Sequence, residues 1–309
     1  MIKFKRILCP TDLSMDSDQA LRYALALRHA YEAALVVCYC ANDKEAVDYK
    51  LSQRRIKNLV EHSLPSANLD WEGLVIQGED VGEAIIQTAA EQAINLIVMR
   101  SRRRPHRAAL LGSTAERVCR GAPCPVLVNH SDEFDRIDQA TGRISLKRLL
   151  VAYDFSDYSE LALNYAVSLA QEYQAELHLL HVLPPRTVNQ PEIAWYPVGG
   201  ETAYHKAARR LQNAIPQEAH LWCKIKHAVT EGHPYREVLN YAEKNEIDLI
   251  SLGAHGAGFG MRALFGSNVD RVLRQAPCPV LVARLLKPAM AKNLQGAVAA
   301  TKAVPRRVA

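Results

Sequence analysis

The chain of 309 residues has no Cys-x-x-Cys pair and no apolar run near the roughly 18 residues that a membrane helix needs. Its seven cysteines (Cys9, Cys38, Cys40, Cys119, Cys124, Cys223 and Cys278) are odd in number, which speaks against a disulfide framework. Reduced, mostly buried thiols are expected. The N-terminus lacks the long apolar region and small-residue cleavage site of a secretory signal, so a cytoplasmic location and no membrane partner are expected. Acidic residues are missing from two stretches that together hold the basic excess behind the net charge of +5. One is a loop with Arg100, Arg102, Arg103, Arg104 and Arg107; the other is a tail with Arg284, Lys287, Lys292, Lys302, Arg306 and Arg307. The rest of the chain is net negative, which argues against a nucleic-acid-binding face on the folded body. A Walker lysine motif is absent as well.

What is present is a repeat. Gly112 to Val128 matches Gly266 to Val282 at twelve of seventeen positions, with an offset of 154. Lys5 to Ser14 aligns with Lys147 to Ser156 at an offset of 142, so the second copy holds an insertion of twelve residues, placed around Pro184 to Gly200. The length suits two domains of about 140 residues, each able to bury its own core. The domains are drawn as 1–130 and 146–284, with a polar linker from Ser131 to Ser145. A basic tail at 285–309 is expected to be disordered.

In the second copy, Arg148 to Tyr153 is a short apolar run, and Asp157 to Tyr173 has helical apolar spacing behind a Ser156 cap. Strands at Leu177 to Leu183, Trp222 to Val229, Ile247 to Leu252 and Pro279 to Ala283 alternate with helices at Thr202 to Ile215, Tyr235 to Lys244 and Asn268 to Arg274. Such alternation predicts an α/β fold, each copy a five-stranded parallel sheet with helices on both faces and right-handed crossovers.

The sharpest motif follows the fourth strand: Gly253-Ala-His-Gly256, nine residues, then Gly266-Ser267. Glycines there allow positive φ and let backbone N–H groups approach phosphate oxygens. Gly266 and Ser267 open a helix whose unpaired N–H groups and dipole favour an anion. Ligands of open α/β sheets lie beyond the carboxyl ends of the strands, where the strand order switches. With the order 3-2-1-4-5, Asp154 at the end of the first strand faces the glycine loop, ready to accept from a ribose hydroxyl or an adenine amine.

Together Arg148-Leu-Leu-Val-Ala-Tyr-Asp-Phe-Ser, His178-Leu-Leu-His-Val, the Gly253/Gly256/Gly266-Ser267 pattern and Pro277-Cys-Pro-Val-Leu-Val resemble the universal stress protein family. The resemblance covers both halves and implies tandem Rossmann-like (HUP-type) domains of strand order 3-2-1-4-5. It also implies an ATP-binding regulatory or stress-response module, with ATP accompanied by Mg²⁺. Asp154 and Val182 would contact the base, and Gly253, Gly256, Gly266, Ser267, Asn268 and Val269 the ribose and phosphates. Pairing of the halves through their final strands, a further homodimer and an unidentified protein partner are implied too. No catalytic role is expected: the loop offers phosphate ligands but no evident carboxylate or Gln to orient water, so a slow ATPase is the rival reading. A nucleotide-independent interaction scaffold, with Trp195 and Tyr196 of the insertion as its surface, is the third.

The first copy departs from the pattern. Asp12 and Gly112-Ser113 match, but Arg100-Ser-Arg-Arg103 replaces the first two glycines, and Cys40 stands in place of Val182. A degenerate site is expected, with arginines that grip an anion as the alternative. Other features have plainer readings. Gly258-Phe-Gly-Met-Arg-Ala263 fits the loose dinucleotide fingerprint by chance. His178 and His181 point to opposite faces of a strand and cannot chelate one metal. His255 is as well explained by a solvent-facing loop as by a phosphate contact, and Cys124 and Cys278 by packing.

Overall fold

The structure, a computed structural model, describes residues 2–14, 18–42, 47–63, 71–101, 112–129, 137, 143–185, 202–256 and 266–284. The chain divides into two compact units. One runs from Leu146 to Val280; the other holds Ile2–Ser145, with Leu281 to Arg284 at the described C-terminal end.

In the first half, the order is β1 (Arg6–Thr11), α1 (Asp18–Tyr31), β2 (Ala34–Asn42), α2 (Tyr49–Ser63), β3 (Trp71–Gly78), α3 (Val81–Glu91), β4 (Leu96–Arg100), α4 (Ser113–Gly121) and β5 (Val126–Asn129). The second half repeats it: β6 (Arg148–Ala152), α5 (Asp157–Tyr173), β7 (Glu176–Leu183), α6 (Ala203–Ala214), β8 (Ile225–Glu231), α7 (Pro234–Lys244), β9 (Leu249–Gly253), α8 (Ser267–Gln275) and β10 (Val280–Ala283). β1 pairs in parallel with both β2 and β4, β2 with β3, and β4 with β5. β6 likewise pairs in parallel with β7 and β9, and β7 with β8, while β10 lies beside β9. Both halves thus have the order 3-2-1-4-5 expected from the sequence.

Composition explains the layers. β9 is buried at all five residues, as a central strand covered on both faces should be, and its one polar side chain, Ser251, donates to the Ala162 carbonyl at 2.9 Å. Helices show one apolar stripe instead: α8 buries Val269, Val272 and Leu273, at spacings of three and four. α5 packs on β6 and β9, α6 on β7 and β8, and α7 on β7 and α8. One polar device recurs at matching positions. Asp248 Oδ2 accepts from the backbone N–H groups of Lys147 and Arg148, at 2.6 and 2.7 Å. Asn95 Oδ1 accepts from those of Lys5 and Arg6, at 3.0 Å each. Each ties the start of the first strand of its copy to that of the fourth.

Two local expectations change. The strand expected at Trp222 to Val229 is found at Ile225–Glu231, because a 3-10 turn at Gln217–Leu221 comes first. That turn absorbs the apolar Leu221 and Trp222, whose N–H donates to the Ala219 carbonyl at 3.3 Å. The linker is also more than a polar spacer, since Ile137 and Ile144 form an antiparallel bridge and are both buried. The arginines from Arg102 to Arg107, the Gly258–Ala263 segment, Trp195, Tyr196 and the tail lie outside the described residues. No described helix is long and apolar enough to cross a membrane.

Candidate functional site

The switch in strand order falls between β6 and β9. Their register sets Ala152 beside Leu252, so the next residues of each strand leave the sheet together. After Tyr153, whose N–H still donates to the Leu180 carbonyl, the chain turns sharply. The turn is built by Asp154: its Oδ1 accepts from the Ser156 N–H at 3.1 Å and from the Ser156 hydroxyl at 2.5 Å. Phe155 between them is held in the left-handed region, at φ 64. Ser156 then caps α5 reciprocally with Ser159. One serine therefore starts a helix and fixes a carboxylate.

The glycine loop meets this turn at close quarters. A Cβ at Gly253 would lie 2.6 Å from the backbone carbon of Tyr158, so only glycine lets the end of β9 pass the first turn of α5. A Cβ at Gly256 would lie 2.9 Å from Asp154 Oδ2, so glycine there leaves room for the carboxylate. Neither residue has positive φ; among the described glycines that belongs to Gly232. Close approach, not backbone handedness, is what these glycines supply. Gly266 differs again: a Cβ there would make ordinary contacts, the nearest at 3.5 Å, and its N–H is already given to the Ala254 carbonyl at 3.2 Å. Its role is to precede α8 without a side chain. α8 accordingly starts with no side-chain cap, presenting the N–H groups of its first turn.

All eight residues singled out in the sequence (Asp154, Val182, Gly253, Gly256, Gly266, Ser267, Asn268 and Val269) line one cavity of about 770 Å³, part of it open to solvent. Leu180, Leu252, Val238 and Val272 give it an apolar wall. Three further lining residues were not on the sequence-based list of site residues. His181 donates from Nδ1 to the Tyr153 carbonyl at 2.8 Å and packs on Phe155, with ring centroids 4.6 Å apart. Burial holds its pKa below the usual histidine value. His255 stacks edge-on against Tyr158, centroids 5.0 Å apart, instead of standing clear in solvent. Tyr235, from the start of α7, lines the cavity too, with the Arg271 guanidinium of α8 over its ring. His178 takes no part: it is fully buried, with Nδ1 3.0 Å from the Tyr241 hydroxyl. Among the described residues no group of three or more His, Cys, Asp or Glu side chains converges as a metal would require.

The first half keeps part of this arrangement. Asp12 Oδ1 accepts from the Ser14 N–H at 2.9 Å, and Leu13 sits at φ 59. Gly112 precedes an equally uncapped α4, with backbone angles of −56 and 138 against −59 and 135 at Gly266. Arg100 ends β4, at the place matching Gly253. Cys40 takes the Val182 position, its thiol 3.9 Å from the Val81 carbonyl.

Comparison with known proteins follows the same duplication. The profile of the universal stress protein family matches residues 3–130 and again 145–284. A universal stress protein of Mycolicibacterium smegmatis is 28% identical over 300 residues, covering 90% of this chain and 96% of its own. One of Methanocaldococcus jannaschii is 30% identical over 139 residues, covering 45% of this chain and 82% of its own. Among solved structures, a universal stress protein of Archaeoglobus fulgidus covers 91% of this chain and 97% of its own, with a TM-score of 0.64 at 24% identity. A putative universal stress protein of Pseudomonas aeruginosa covers 96% and 98%, with a TM-score of 0.69 at 18% identity. These two structures share the fold.

Proposed function

The chain belongs to the universal stress protein family, and from that premise we propose that its second half binds an adenine nucleotide, ATP foremost, as a regulatory ligand. The observation that carries this reading is the convergence of Asp154, the glycine loop and the uncapped start of α8 on one cavity of about 770 Å³. The N–H groups of Ser267, Asn268 and Val269, with the Ser267 hydroxyl, hold phosphate oxygens. Val182 and the apolar wall receive the base, and Asp154 accepts from a ribose hydroxyl or the adenine amine. An accompanying Mg²⁺ would be held by the phosphates and water, since the lining offers one carboxylate.

Binding without turnover follows from the chemistry of the lining. Asp154 is the one carboxylate among the described lining residues, and its Oδ1 is held by Ser156. The phosphate ligands, backbone N–H groups and a hydroxyl, stabilise a ground-state triphosphate about as well as its transition state, and such uniform binding does not raise the chemical rate. The first half, with Arg100 for Gly253 and Cys40 for Val182, is proposed to hold no nucleotide. The test is to denature the purified protein, identify any released nucleotide by chromatography, and titrate the stripped protein with ATP and Mg²⁺. One site per chain without hydrolysis is expected; two equivalent sites, or turnover of several ATP per second, overturn the reading.

A further inference from the structure

Tyr235, which lines the same cavity, is held by two arginines that are not themselves among the lining residues and that nucleotide binding, as described, leaves unused. Arg271 lies four residues beyond Ser267 on α8 and therefore on the same helix face. Side chains of a helix lean toward its N-terminus, so this guanidinium reaches back over the turn that opens on the cavity. Its Cζ sits 4.6 Å from the centroid of the Tyr235 ring. Arg236, the next residue along α7, donates from Nε to the Tyr235 hydroxyl at 2.8 Å, with its Cζ 5.7 Å from the ring centroid. Tyr235 lines the cavity, as do Ser267 and Asn268 at the start of α8.

Neither arginine is neutralised by a carboxylate among the described residues. The acid nearest in sequence to Arg271, Asp270, is engaged by both Nε and Nη2 of Arg274, at 2.8 and 2.6 Å. The hydrogen bond from Arg236 draws the Tyr235 phenol below its ordinary pKa, as a concentration of positive charge should. The first half provides the contrast. In the register that sets Arg100 against Gly253, Gly82 and Glu83 stand in place of Tyr235 and Arg236. Arg117, which matches Arg271, is spent on Asp80 at 2.9 Å.

We propose that Arg236 and Arg271, gathered around Tyr235, form an anion subsite at the phosphate end of the cavity that takes the terminal phosphate of a polyphosphorylated nucleotide. The site thereby reads how many phosphates the ligand carries. This rests on the nucleotide reading above and adds a specificity to it. A guanidinium stays charged and presents a planar fork of donors that matches a phosphate, and the Tyr235 ring holds both forks close to the uncapped helix. A nucleoside monophosphate occupies only the glycine loop and the start of α8; further phosphates extend to the rim.

The experiment is calorimetric titration of the full-length chain, stripped of nucleotide, with AMP, ADP and ATP. The wild type is compared with Arg271→Ala, Arg236→Ala and Arg271→Lys. Each alanine variant is expected to lose about tenfold in ATP affinity, as one charge-assisted hydrogen bond allows. AMP affinity is expected to stay within about twofold, and Arg271→Lys to fall between. Unliganded melting temperatures check that these surface variants stay folded. Raising ionic strength gives a readout that needs no variant: the preference of the wild type for ATP over AMP is expected to shrink. An equal loss for all three nucleotides, an unchanged preference in the variants, or a preference insensitive to salt overturns the subsite while leaving the nucleotide site standing. No binding of any nucleotide by the wild type overturns both.

Discussion

At the scale of single residues, the three glycines of the motif do different work, and substituting alanine for each separates them. Gly253→Ala drives a Cβ into the Tyr158 backbone, which cannot swing aside. Overpacking of this kind costs about 1–3 kcal/mol, so a clear fall in melting temperature is expected. Gly256→Ala meets only the end of the Asp154 side chain. Stability should therefore hold while nucleotide affinity falls, as the carboxylate is pushed from its place. Gly266→Ala, whose Cβ would have ordinary contacts, should leave the melting temperature unchanged. Thermal denaturation with and without ATP distinguishes all three outcomes.

Protonation is legible at the same scale. Burial holds His178, His181 and His227 below the histidine value of 6.5. The unfolded chain takes up protons near that pH and the folded chain does so only lower, so folding stability is complete above about 6.5 and declines as pH falls below it. The urea midpoint is expected to drop between neutral pH and pH about 5.5. His181→Asn, which keeps a donor for the Tyr153 carbonyl, should flatten part of that slope.

Among the elements, α5 and α6 begin with similar caps but unequal duties. Thr202 accepts from the His205 N–H and serves α6 alone. Ser156 caps α5, donates to Asp154 and so orients the floor of the site. Loss of a cap costs about 0.5–2 kcal/mol. Thr202→Ala should show that cost alone, in urea denaturation, whereas Ser156→Ala should lose stability and nucleotide affinity together. This level was also the most readable from the sequence. The alternation of apolar runs with helical spacing located every major element of the second half, while the glycine spacing, the strand order and the family resemblance together pointed to eight of the residues that line the cavity. What escaped was contact between positions distant in sequence. The need for glycine at 253 arises from Tyr158, which packs there only once α5 crosses β9. Tyr235 and Arg271 meet across two helices, and no local pattern announces that. The start of β8 was misplaced because Trp222 satisfies a strand pattern while a preceding 3-10 turn claims its backbone.

For the whole molecule, two compact units with one proposed site predict an uneven response to ligand. ATP at about a hundred times its dissociation constant adds roughly 2.7 kcal/mol to whatever folds around it. Amide hydrogen exchange should then slow in Leu146–Val280, most at β6, β9 and α8, with Ile2–Ser145 unchanged. Protection spread evenly over both would contradict a single site. The two units also share one strained turn. Leu13 and Phe155 have a left-handed backbone that costs a bulky residue about 1–2 kcal/mol, and Asp12 and Asp154 hold it by the same hydrogen bond. The fourth strand ends on Arg100 in one half and on Gly253 in the other, yet the turn is the same. Its strain is therefore borne by the junction of first strand and first helix, a hinge pin of the scaffold whose geometry does not depend on the glycine loop beside it.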